Sequence, residues 1–179
     1  MSPLYRSRGP IRWVSTVEAS VTGAGGTGVQ AIQTAGAFDT IPGGTLRDND
    51  RVRFQAEFEV TKDAATNVIP NIYWGGVAGG VALFNTGAVL ASATGLVIQL
   101  RSELTIRTSG ASPVWGYFSE WMSSTNNTYE DMKKAYDLTS VPTNADIVVE
   151  ASAQVTGAVT ANDRVKLRNF RREIIRSGY

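Results

Sequence analysis

The chain has no cysteine and no histidine among its 179 residues. Without a thiol there is no disulfide framework, no thiolate nucleophile and no sulfur ligand for a metal. Without an imidazole the usual general base, the usual neutral metal ligand and every Ser-His or Cys-His arrangement are missing, and most hydrolytic mechanisms go with them. Charge is sparse too, at 18% of residues. No segment approaches the roughly 18 uninterrupted apolar residues of a membrane-spanning helix. The opening stretch MSPLYRSRGPIRWV carries arginines but no apolar run of the kind a secretory signal uses. These absences lead us to expect a soluble chain made in a cytosol, without cofactor or metal, and not an enzyme.

What is present points to strands. Hydrophobic residues make up 42% of the chain, with 18 glycines and many Thr, Ser, Ala and Val, a composition of strands and turns. The length fits one domain able to bury its own core. The formal net charge of +1 is unevenly placed: residues 1–17 hold Arg6, Arg8 and Arg12 and no acid, residues 163–179 carry +4, and the middle is acidic. Residues 1–12 contain Pro3, Gly9 and Pro10, which disfavour a central strand. An extended basic arm over 1–12 and a single β-domain over 13–179 are expected.

The clearest element is Arg51 to Val60, where Val52, Phe54, Ala56, Phe58 and Val60 alternate with Arg51, Arg53, Gln55, Glu57 and Glu59. That is a strand with one buried and one wet face. Asp48-Asn49-Asp50 before it is a turn signal. Similar runs cover 28–32, 71–74, 81–84, 96–107, 114–122, 135–139, 147–153 and 164–175, separated by glycine- and proline-rich turns. In the last run Val165 and Leu167 differ in parity from Phe170 and Ile174, so a β-bulge near Asn169 is expected. The segment TYEDMKKAY, Thr128 to Tyr136, reads as a helical turn or two capped by Thr128. The whole predicts an all-β, jelly-roll-like antiparallel sandwich of about eight strands.

Four patterns could carry chemistry. Gly23 to Gly28 matches GxGxxG with Asp48 some way downstream, but no βαβ unit surrounds it, and a glycine loop is the better reading. Glu57 and Glu59 could form a glycosidase pair; beside Arg51 and Arg53, a solvated mixed-charge face is the simpler account. Asp48, Asn49 and Asp50 lack the spaced oxygens of a calcium loop. Trp115, Tyr117 and Trp121 share one parity of a strand and could form a platform for sugar stacking. With Val114, Phe118 and Met122 apolar on the other parity, a strand covered on both faces, one of them by a neighbouring subunit, is the competing account. The basic ends suggest protein partners rather than nucleic acid, because the middle is acidic and arginine suits planar carboxylates.

Three stretches, Gly44-Thr45-Leu46 through Asp50-Arg51-Val52-Arg53, Leu104-Thr105-Ile106-Arg107-Thr108-Ser109-Gly110-Ala111, and Asn162-Asp163-Arg164-Val165-Lys166-Leu167-Arg168-Asn169-Phe170, give the chain its likeness to a known group. Across residues 30–176 it resembles the jelly-roll modules of tailed-bacteriophage virion proteins: capsid decoration or cement proteins, head fibres and tail appendages. The aromatic strand 114–122 and the polar insertion 123–134 depart from that pattern. The resemblance implies a sandwich that packs about a three-fold axis, binds a virion surface, and brings no catalytic residue. A decoration protein is expected on the capsid surface after assembly in the host cytoplasm, a homotrimer bound to the major capsid protein. Arg6, Arg8 and Arg12 would attach it and Val114, Phe118 and Met122 would meet a neighbour. The alternative is a receptor- or glycan-binding module of a tail appendage, stacking sugar on Trp115, Tyr117 and Trp121. Neither reading involves a membrane or nucleic acid.

Overall fold

The computed structural model describes residues 11–15, 19–22, 28–31, 40–62, 66–76, 78–84, 93–123, 129–157, 160 and 163–177. Within them the chain is all-β, with twelve strands and no helix. They are β1 (Ile11–Ser15), β2 (Ala19–Thr22), β3 (Gly28–Ala31), β4 (Thr40–Ile41), β5 (Arg51–Lys62), β6 (Thr66–Trp74), β7 (Val81–Ala82), β8 (Ala93–Thr108), β9 (Val114–Ser123), β10 (Tyr129–Leu138), β11 (Ile147–Gly157) and β12 (Arg164–Ile175). The larger sheet has seven strands in the order β1-β12-β5-β8-β9-β10, with β2 also on β12. The smaller has five, β3-β11-β6-β7, with β4 also on β11. Every pairing is antiparallel. This is the expected antiparallel sandwich, with short strands raising the count above eight.

The period-two pattern of β5 is met residue by residue. Val52, Phe54, Ala56, Phe58 and Val60 are buried, while Arg51 and Arg53 are exposed. Its inner face joins a file of rings that runs between the sheets. Phe170 of β12 stacks on Phe54 at 6.1 Å, Phe54 meets Trp74 of β6 at 5.9 Å, Trp74 meets Trp115 of β9 at 6.0 Å, and Trp115 meets Tyr117 at 6.0 Å. Trp115 also donates its indole N–H to the Ser140 carbonyl at 2.7 Å. The Tyr117 hydroxyl donates to the Ala82 carbonyl at 3.3 Å. The polar tips of Trp115 and Tyr117 are therefore satisfied while their rings fill the core, whereas the buried indole N–H of Trp74 has no hydrogen-bond partner among the described residues.

The bulge falls where the parity break requires it. Leu167 pairs with Phe58 and Asn169 with Glu57, so Arg168 is the extra residue. It puts its guanidinium on Glu59, Nε at 2.8 Å from Oε2. The Asx turn before β5 is also present: Asn49 has φ 66, and Arg47 N–H donates to Asp50 Oδ2 at 2.9 Å. Asp48 accepts from the Ser109 amide and hydroxyl at 2.7 and 2.8 Å. Asp50, 1% exposed, pairs with Arg176 just beyond β12, which ties the start of β5 to the end of the last strand. These contacts bear out the turn reading of the triplet.

The helical turn expected at Thr128 to Tyr136 is not formed; Tyr129–Leu138 is a strand, and Thr128 lies outside the described residues. An isolated helix of nine residues gains too few hydrogen bonds to offset nucleation. The open edge of β9 supplies them instead, pairing Lys134 with Phe118 and Ala135 with Tyr117. Close approach there depends on Gly116. A Cβ at that position would sit 2.9 Å from the Ala135 carbonyl oxygen, and Tyr136 covers the gap with its ring edge.

Three outcomes follow. Trp115→Ala should cost about 3–5 kcal/mol, the range for removing a large buried aromatic, read from denaturant midpoints. Deleting Arg168 leaves the inward parity of Val165, Leu167, Phe170 and Ile174 intact, so that variant should fold with stability within about 1 kcal/mol of the parent, the scale of the partly exposed ion pair it loses. Deleting Arg171, where no spare residue exists, should invert the strand and abolish soluble protein.

Candidate functional site

The outward residues of the larger sheet fall into rows that cross the strands, because each register pair lies side by side about 4.8 Å apart. One row runs Arg171 (β12), Gln55 (β5), Arg101 (β8), Glu120 (β9). The next runs Glu173, Arg53, Glu103, Phe118 and, on β10, Lys134. Lys134 apart, these residues floor a concavity of about 400 Å³. A second concavity, about 460 Å³, lies on the other side of Phe118 and reaches Arg107 and Tyr136. Phe118 is 38% exposed and Tyr136 63%, the two large apolar side chains left open among the described residues. Lys134 holds its amine 5.9 Å from the centre of the Phe118 ring, a cation–π distance.

The charges on this face are unevenly neutralised. Glu103 takes Arg53 at 2.5 Å and Arg51 at 3.1 Å. Partial burial pushes its carboxyl up, but the hydrogen bond and charge of Arg53, helped by Arg51, outweigh that and hold it below its ordinary value. Arg53 is correspondingly raised, chiefly by its hydrogen bond to Glu103. Glu59 is held low by the hydrogen bond from Arg168, and Glu57 accepts from Gln99 at 3.4 Å. Glu57 and Glu59 thus have separate partners, as the mixed-charge reading expects. By contrast, Arg101 approaches Glu120 only at 3.9 Å. Arg171 has no carboxylate within ion-pair reach among the described residues. Beneath the face, Ser119 donates to Ser102 at 2.6 Å and Ser102 to the Phe118 carbonyl at 3.1 Å, so two inward serines are satisfied and the β8–β9 floor is pinned.

The residues singled out from sequence separate cleanly. Trp115, Tyr117 and Trp121 are 0%, 4% and 7% exposed; they face the second sheet, and the stacking platform expected on them is covered by the core. Burial also pushes the Tyr117 phenol up. Val114, Phe118 and Met122 are the outward set: Phe118 is exposed and the other two are half-buried. Arg12 lies in β1, paired across from Glu173, while Arg6 and Arg8 lie outside the described residues, as do 23–27 of the glycine motif. Gly28 opens strand β3 rather than a helix. Gln55, Arg101, Glu120, Arg171 and Tyr136 were not singled out. Their outward parity was readable, but their convergence depends on pairings between distant strands.

The state of Glu103 sets a pH dependence. A carboxyl whose folded pKa lies below its ordinary 4.5 contributes stability that is present above that value and lost as pH falls through the lowered one. Thermal melts should therefore show wild type above Glu103→Gln at pH 7, with the gap closing below about pH 4.

No family model matches the chain, and no curated protein matches it in sequence. Solved structures do. Peanut lectin with a nine-residue peptide is 8% identical at TM-score 0.41, over 94% of this chain and 99% of that one. The PL-14 alginate lyase from Aplysia kurodai is 11% identical at TM-score 0.39, over 74% and 72%. The CBM2 module of the evolved Dit of Lactobacillus casei BL23 phage J-1 is 11% identical at TM-score 0.34, over 78% and 69%. At these identities and TM-scores none of them carries chemistry to this chain.

Proposed function

We propose that the chain is a non-enzymatic binding module of a virus particle, a β-sandwich that presents the outer face of its larger sheet to a receptor saccharide. The observation that carries this is Phe118: a large ring left open to water between two concavities, on a floor of Arg, Gln and Glu. Burying such a ring would gain about 1.5–3 kcal/mol. Keeping it exposed among hydrogen-bonding groups suits a ligand that is apolar on one face and hydroxylated at its rim. The reading relocates the sugar platform from Trp115, Tyr117 and Trp121 to the opposite side of the same sheet. Absence of catalysis is supported by the lack of histidine and by the lowered carboxyls of Glu59 and Glu103, since a glycosidase acid needs one raised. The virion setting rests on the sequence resemblance to phage jelly rolls.

A capsid decoration role is the second reading, favoured by the line of Val114, Phe118 and Met122 along the outward parity of β9, with Tyr136 of β10 sharing a concavity with Phe118, where a neighbouring copy could cover them. In it the protein is a homotrimer on the phage head, attached to the major capsid protein through Arg6, Arg8 and Arg12. It would stabilise the shell by binding the assembled state.

One pair of measurements separates the two. Under the saccharide reading, purified protein is retained on host surface polysaccharide and Phe118→Ala, still folded, is not. Under the decoration reading, light scattering gives about three times 19.2 kDa, undecorated heads take up the protein in many copies, and changing Arg6, Arg8 and Arg12 together to alanine prevents it at physiological salt. A monomer that ignores polysaccharide and heads alike would sink both.

A further inference from the structure

We infer that the saccharide bound by this face carries a carboxylate, and that the row Arg171, Gln55, Arg101 receives it. The inference rests on the saccharide reading above and names its ligand class. Arg171 and Arg101 flank Gln55 on the two strands that border β5, so their backbones stand roughly 10 Å apart, two strand spacings. Both line the same concavity with Phe118. They are the two guanidiniums of that concavity whose donors are least committed: Arg53 is taken up by Glu103 at 2.5 Å, Arg101 reaches Glu120 only at 3.9 Å, and Arg171 has no ion-pair partner among the described residues. Arginine's planar fork matches a carboxylate through two parallel hydrogen bonds.

The remaining groups argue for a sugar rather than an acidic peptide. Glu120, Glu103 and Glu173 line the same concavity. A run of peptide carboxylates would meet them as like charges. A sugar chain offers them O–H donors as well, and it spaces its carboxylates one per ring, so acids can meet Arg171 and Arg101 while hydroxyls meet the glutamates. Gln55 between the two arginines both donates and accepts, so it suits a neighbouring hydroxyl. The spacing between strands is comparable to the length of one pyranose unit, so a uronate chain laid along the row meets one strand per sugar, and the sugar over β9 can turn its apolar ring face toward Phe118 in the adjacent row.

The test uses the full chain and tetrasaccharides of galacturonate, glucuronate, mannuronate and guluronate, each beside its carboxyl-reduced or methyl-esterified counterpart, with titration calorimetry as the readout. At least one acidic tetramer should bind about tenfold or more tightly than its neutral counterpart, the scale of a charged hydrogen bond. Arg171→Gln and Arg101→Gln should each remove most of that preference, with thermal melts unchanged because both side chains are on the outer face, and rising salt should weaken the acidic ligand alone. Equal binding of acid and neutral forms, lost in Phe118→Ala, would overturn the carboxylate inference and leave the saccharide reading standing. A poly-glutamate peptide binding through the same two arginines while every sugar fails would overturn both, and so would no binding at all.

Discussion

Everything on the outer face depends on the burial of Trp74 against Trp115. Both rings are fully buried, they meet at 6.0 Å across the sheets, and each occupies a space that no smaller neighbour could fill without a void. In strands of period two, fixing one residue inward fixes the direction of every other. With Trp115 in the core, Gly116, Phe118, Glu120 and Met122 have no choice but to face out. Phe54 and Phe170, stacked at 6.1 Å, do the same for β5 and β12. The rows of the candidate site are thus a by-product of core packing, and their spacing is inherited from the hydrogen-bond ladder.

The ion pairs on that face add little stability, since exposed pairs of this kind contribute about 0.2–1 kcal/mol each. Their effect is on side-chain order. Two arginines converging on Glu103 hold each other, Lys134 fixes Phe118 from one side, and the Ser102–Ser119 pair anchors the backbone underneath. Side chains already restrained lose less entropy when a ligand arrives. A site assembled on paired strands is also held more precisely than one carried on loops.

Much of this was legible in the chain. The alternation in β5, the Asx turn at Asp48 to Asp50 and the parity break that demands a bulge beside Asn169 all act within a few residues, and all three appear in the structure. Three things were not legible. Thr128 to Tyr136 has helix-forming residues, but the free edge of β9 outweighed local preference, as tertiary context does for short segments. The aromatic strand showed two apolar parities, and both wet and buried assignments fitted. The size of Trp115 and Trp121 was the signal for the inward set; Ser119, inward among them, obscured it until Ser102 appeared as its partner. The row Arg171, Gln55, Arg101 could not be read at all, because β12 meets β5 only after the chain has closed over more than a hundred residues.

That closure has a cost during synthesis. Arg168 and Glu59 are 109 residues apart, and Arg176 reaches back 126 residues to Asp50. Until β12 emerges, β5 stands with one whole edge unpaired and Val52, Phe54, Phe58 and Val60 in a row along it, and β1 and β2, which pair only with β12 among the described strands, have nowhere to dock. Such a nascent chain is slow to fold and open to pairing with its own kind. A chain without residues 164–175 therefore keeps the β5 edge open to other strands, whereas β12, once made, closes that edge and gives β1 and β2 their partner.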